Sequence, residues 1–158
     1  MIDKIPIAGV VAVTIKKPDG TIVHVGEKQN TINLELKKKC VHGMNGVTTN
    51  FGIQESAFAD DAFTSPTVGG SGIVIYAGTS YYEMDTISVD DASSGVGFTI
   101  VSRIRASTNY TITKAYLGNS WDDTTNKFDN DYSDVTTNIS LSNGYQLDLT
   151  WTLRIANV

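Results

Sequence analysis

His24, His42 and Cys40 have the broadest chemical reach in this chain, because imidazole and thiol titrate closest to neutrality. A hydrolase or transferase needs such a group beside a nucleophile, together with a third group that orients it. His24 falls in the alternating stretch Thr21-Ile22-Val23-His24-Val25. His42 lies near the end of a helical stretch, where a protonated ring complements the helix dipole. Both read as structural or surface residues. The chain has no Gly-x-Ser-x-Gly, no P-loop and no His-Glu-x-x-His, and Gly69-Gly70-Ser71-Gly72 lacks the strand-before, helix-after setting of a phosphate loop. A single cysteine permits neither an intrachain disulfide nor a cysteine-based metal site within one chain. The expectation is a protein that is not an enzyme, with no catalytic residue and no cofactor.

Carboxylates come in pairs at Asp60-Asp61, Asp90-Asp91 and Asp122-Asp123. In loops of an acidic protein such pairs are more often solvated than catalytic. The richest polar stretch runs over residues 121–134. Asp129, Asp131 and Ser133 at alternate positions resemble the hard oxygen ligands of a calcium loop, which makes Asp129, Asp131 and Asp134 the candidate cation set. The glycine needed at the sharp turn is absent and no glutamate closes the loop, so no metal is expected. The same stretch reads as a long solvated loop anchored by aromatics, and Trp121, Asp122, Asp123, Phe128 and Tyr132 are its candidate recognition residues.

The elements that must carry these residues are strands. Residues 7–15 are Val- and Ile-rich, Lys17-Pro18-Asp19-Gly20 supplies a turn, and the alternation over 21–25 answers it, which predicts a hairpin within residues 1–30. A helix is predicted over 33–43, from Ile32, Leu36, Cys40 and Met44 recurring every four residues and Gly43 as a stop. Residues 45–71 hold neither period and read as an extended loop with Phe51, Phe58 and Phe63. A loop of this length usually has a task or a partner, so these three rings are candidate inter-subunit contacts. From 72 to 158 the pattern is strand throughout, ending in the cleanest alternation of the chain, where Tyr145, Leu147, Leu149, Trp151, Leu153 and Ile155 share one face.

One domain of 158 residues follows, all-β, a two-sheet antiparallel β-sandwich of seven or eight strands with one short helix. Its 41% hydrophobic and 18% charged residues suit short strands and many turns. The net charge of −5 argues against nucleic acid and anionic lipid as partners. Lys37-Lys38-Lys39 reads as the solvated face of the helix. No stretch reaches the 18 or so apolar residues of a membrane span, and residues 1–6 lack the pattern of a secretory leader, so neither a membrane nor a secreted protein is expected.

Four stretches resemble small virion proteins encoded in the structural modules of tailed phages. The hairpin with its Pro18-Asp19-Gly20 turn leads through Gln29-Asn30-Thr31-Ile32 into a helix, as an N-T-I segment does there. Ile73-Val74-Ile75-Tyr76-Ala77-Gly78-Thr79 is similar to their I-A-I-G-T-G strand, with Tyr76-Ala77 in place of small residues. The run from Asn109 to Leu117 resembles Y-T-I-T-E-V-G-L, and the run from Leu147 to Leu153 resembles their terminal L-T-V-T-W-T-L. The resemblance implies a non-enzymatic building block located in the virion and assembled in the host cytoplasm. Three placements follow in order: a capsid decoration or head-fibre protein, a tail or tail-fibre component, and a carbohydrate-binding module. The implied partners are other virion proteins, the major capsid protein first, and further copies of the chain, with a trimer favoured. Replacing His24, His42 and Cys40 together by Ala or Ser should leave the biological role intact. Loss of that role in a variant that still folds and assembles would count against a non-catalytic protein.

Overall fold

The computed structural model describes residues 7–44, 51–58, 63–91 and 97–155. Ten strands and one helix follow in the order β1 Ile7–Lys16, β2 Ile22–Gln29, β3 Thr31–Ile32, α1 Leu34–Met44, β4 Gly72–Ala77, β5 Ser80–Glu83, β6 Asp85–Asp91, β7 Gly97–Arg105, β8 Tyr110–Asp122, β9 Lys127–Leu141 and β10 Gln146–Ile155. They form two five-stranded sheets, β2-β1-β10-β7-β6 and β3-β9-β8-β4-β5. All strand pairs are antiparallel, so the expected all-β sandwich with one short helix is the architecture found.

The turns form where the sequence provides for them. Gly20 takes φ +89°, and the Asp19 carboxylate accepts the Thr21 amide at 2.9 Å, which closes the β1–β2 hairpin. Gly144 takes φ +83° between β9 and β10, and the Tyr145 amide donates to the Ser142 carbonyl at 2.9 Å. Asn33 precedes α1, and its carbonyl accepts the Lys37 amide at 3.3 Å. Leu36 alone anchors the first turns of the helix in the core, while Lys37 and Lys38 are exposed, as expected of that lysine run, and Lys39 is half-buried.

The core lies between the inner faces of the two sheets. Leu147, Leu149, Trp151 and Leu153 of β10 are all buried and stand opposite Ile15, Val13, Val11 and Gly9 of β1. On the other side, Leu147, Trp151 and Leu153 stand opposite Ile104, Ile100 and Phe98 of β7. The second sheet answers with Ile73 and Ile75 from β4, Ile112, Ala115 and Leu117 from β8, and Val135, Ile139 and Leu141 from β9. Burying each large apolar side chain contributes roughly 1.5 to 3 kcal/mol.

The described residues form ten strands where seven or eight were expected; within the strand-rich part, β5 and β6 are separate strands in different sheets, joined only by Met84. The register of β6 on β7 shifts between Thr86 and Ser88, and that bulge breaks the period-two alternation. Of the expected 45–71 loop, residues 51–58 and 63–71 are described and carry no regular strand beyond an isolated bridge, Thr64 to Glu83. Residues 45–50 and 59–62, with Asp60 and Asp61, lie outside the described residues, as do the side chains of Cys40, His42 and Asp91.

Trp151 is fully buried and its indole N–H has no hydrogen-bond acceptor. Trp151→Ala should cost about 3 to 5 kcal/mol, because the cavity lies at the centre of the first sheet. Trp151→Phe should cost less, since it keeps much of the packing and removes an unsatisfied donor. Urea unfolding of the two variants checks this, and equal losses would place the ring away from the core.

Candidate functional site

Residues 121–134 do not form the solvated loop expected from their polarity. β8 and β9 continue through them as a hairpin, paired as far as Asp122 opposite Lys127. The tip is a tight turn in which Asn126 takes φ +55°. The Asp122 carboxylate accepts the amides of Thr124 at 2.8 Å and Thr125 at 3.4 Å, which holds its pKa below the usual carboxylate value. Asp122 therefore builds the turn, and Asp123 is exposed beside it.

The aromatic residues of the stretch separate. Tyr132 points inward, is fully buried, and donates its hydroxyl to the Phe51 carbonyl at 2.8 Å. Trp121 and Phe128 stand opposite each other on the outer side, with ring centroids 5.0 Å apart and planes at 79°. The phase changes because the register shifts between Leu117 and Gly118 and because Ser120 takes φ +59°. Glycine at 118 is required by this arrangement: a Cβ there would meet the Phe128 ring at 2.5 Å and the Asn130 carbonyl oxygen at 2.6 Å. Trp121 is held from its other side by residues 69 and 70, its amide donating to the Gly70 carbonyl at 2.8 Å and its carbonyl accepting the Gly69 amide at 2.8 Å.

The candidate cation set is not brought together. Asp129 is exposed on β9, and among the described residues no three His, Cys, Asp or Glu side chains converge as metal ligands would. Asp131 and Asp134 instead join an outer-face cluster that the sequence reading missed. Directly opposite residues in neighbouring strands share a face. Tyr81 pairs with Tyr76, and Tyr76 with Lys114; Val74 lies between Glu83 and Tyr116; Tyr116 pairs with Asp134, and Gly118 with Asp131. Val74, Trp121 and Phe128 form a small second core on this face, with Tyr81 and Tyr116 packed against it.

The ring centroids of Tyr76 and Tyr81 are 4.8 Å apart, those of Tyr81 and Tyr116 6.1 Å, and those of Tyr81 and Trp121 5.3 Å. Lys114 Nζ lies 5.2 Å from the centre of the Tyr116 ring and 3.9 Å from Asp134 Oδ1. Burial, the hydrogen-bonded Tyr81 hydroxyl and the nearby carboxylates push the Tyr116 phenol up to about 12, so it stays protonated at neutral pH. Burial also raises the Asp131 and Glu83 carboxyls, with Asp134 adding to the first and Asp85 to the second. Asp131 Oδ1 is shielded from solvent and has no hydrogen-bond donor.

The three phenylalanines expected at subunit contacts are engaged within the chain. Phe51 is buried, 4.3 Å from Phe98 and 5.7 Å from Tyr132 between ring centroids. Phe63 stacks on Tyr110 at 3.7 Å and meets Tyr82 edge-on at 4.9 Å. Phe58 is half-buried under the guanidinium groups of Arg103 and Arg105, at 5.5 and 5.7 Å. Backbone bonds fix this segment to the sheet edges: Ser56 N–H to the Thr86 carbonyl at 2.7 Å on β6, and Glu83 N–H to the Thr64 carbonyl at 2.9 Å on β5. It straps one flank of the sandwich.

On the opposite flank, β2 is an edge strand among the described residues. On β2, Ile22, Val23 and Val25 are 55%, 44% and 68% exposed. Between β2 and β9 runs a groove of about 490 Å³ whose floor includes Val13, Ile15, Ile139 and Tyr145 and whose rim includes His24 and Lys28.

The raised Asp131 pKa means that the folded chain holds this proton more tightly than the unfolded chain does. The resulting stability is fully present below the unfolded pKa and is lost as pH rises through the folded one. Asp131→Asn should therefore unfold at higher urea than the parent near pH 7, and the gap should close near about pH 3. A gap unchanged with pH would show that the carboxyl is not desolvated. No protein-family model, curated protein or solved structure matches the chain, so the reading of these surfaces rests on their own chemistry.

Proposed function

We propose that the chain is a non-enzymatic building block of a tailed-phage particle, a capsid decoration or head-fibre protein, that seats on its neighbours through the β2 flank. The observation that carries this is the exposed Ile22, Val23 and Val25 on a strand paired on one side with β1. An edge strand of this kind is normally blunted or covered, because its free backbone groups accept another strand. The groove beside it, floored by core residues, gives such a strand an apolar bed. The neighbours fitting the resemblance to virion proteins are the major capsid protein and further copies of this chain, with a trimer favoured. The net charge of −5 speaks against nucleic acid. The phenylalanines no longer supply the motive for oligomers, since each has partners in its own chain; β2 takes over that part.

The test uses the intact protein with purified empty heads and, separately, purified tails of the virus that carries the gene. The double variant Ile22→Lys, Val25→Lys changes exposed side chains, so its melting temperature should stay close to the parent's. Co-sedimentation with heads should fall at least about tenfold in the variant, which corresponds to about 1.4 kcal/mol of lost contact. Binding to tails alone would move the protein to the tail. A strict monomer that binds neither particle would overturn the proposal.

A further inference from the structure

We propose that the outer face of the second sheet is a saccharide-binding site for a neutral glycan, with a pyranose ring laid on Tyr76, Tyr81 and Tyr116 and its hydroxyls held by Asp134 and Lys114. Three half-buried tyrosines neighbour one another, with centroids 4.8 and 6.1 Å apart and ring planes tilted by 49° and 48°. Tyr81 and Tyr116 pack against Val74, Trp121 and Phe128, so little of their side-chain freedom remains to be lost on binding. One ring can offer its face to the apolar side of a sugar while the next, tilted against it, walls the edge.

A sugar hydroxyl is both donor and acceptor, and it needs both kinds of partner at the rim. Asp134 supplies an acceptor and Lys114 a donor, 3.9 Å apart and beside the Tyr116 ring. Asp131 lies on the same face, opposite Gly118, with its Oδ1 shielded from solvent, so it adds charge to the rim rather than a contact.

Charge selects among ligands. Glu83, Asp131 and Asp134 share this face with Lys114, so a phosphate or an acidic sugar would meet net repulsion. Of the exposed large aliphatics, Ile22, Val23 and Val25 lie in the other sheet, while Leu34 and Val68 stand at the margins of this face, next to Asn33, which donates to Asp134, and Gly69, which donates to the Trp121 carbonyl; a protein partner is therefore the competing occupant that the test must separate. A neutral carbohydrate satisfies the charge constraint. The site is separate from the β2 flank, so its failure would leave the docking proposal standing.

The experiment is an array of immobilised neutral and acidic glycans probed with the full chain, followed by titration of any glycan retained, read by chemical shifts of the tyrosine rings. Neutral glycans should be bound, with shifts at Tyr76, Tyr81 and Tyr116. Tyr76→Ala and Asp134→Asn should each weaken binding about tenfold, with melting temperature preserved. Ile22→Lys, Val25→Lys lies outside the site and should bind as the parent does. Retention of acidic glycans only, retention of none, or equal affinity in Tyr76→Ala and Asp134→Asn would overturn the site.

Discussion

The inner row of β10 is the contact on which the sandwich depends. Leu147, Leu149, Trp151 and Leu153 fill the middle of the first sheet, flanked by Val11, Val13 and Ile15 on β1 and by Phe98, Ile100 and Ile104 on β7. The outer row of the same strand is tied by polar contacts. Asp148 accepts Arg103 Nε at 2.8 Å and its second nitrogen at 3.0 Å, and lies 3.7 Å from Lys16. This paired fork raises the Arg103 pKa and holds three adjacent strands in one register. A slip by one residue would place Trp151 in water and Asp148 in the core, so both faces enforce the same alignment.

With the centre fixed, the two flanks of the sandwich differ in how their strand edges are finished. Residues 51–58 and 63–71 run along the β5 and β6 side, give those edges backbone partners, and place Phe51 and Phe63 against the core. The other side has α1, anchored by Leu36, and then β2, which among the described residues pairs only with β1. The chain thus spends its long irregular segment on one edge and leaves the other available. That asymmetry suits a module that sits beside neighbours along one side.

The outer face of the second sheet has a different character. Its aromatic cluster is built by the chain folding its own hairpin tip back over Val74, and it keeps carboxylates in places where burial disfavours their charge. A fold selected for stability alone would replace a half-buried carboxyl whose oxygen lacks a donor with an amide or an apolar residue. Groups retained at such a cost tend to sit where ligands are bound.

Local signals in the sequence determined the class, the hairpin turning at Gly20, the helix to within a residue at each end, and the burial of Leu147 through Leu153, although the helix runs through Gly43, the expected stop, to Met44. Each of these rests on near-neighbour chemistry: a positive φ that glycine accepts, a recurrence every four residues, or an alternation unbroken over a whole strand. Tertiary structure decided the rest. Bulges near Gly118 and a positive φ at Ser120 shift the strand phase, so the alternation that would have revealed β8 and β9 through residues 121–134 is interrupted, and Tyr132 turns inward while Trp121 and Phe128 turn outward. The Tyr76, Tyr81, Tyr116 and Asp134 face is assembled from four strands whose order is set only by pairing, which no local pattern encodes. The phenylalanines of the irregular segment likewise carried a clear signal of burial and none of address, because hydrophobicity specifies that a ring leaves water without specifying which surface receives it.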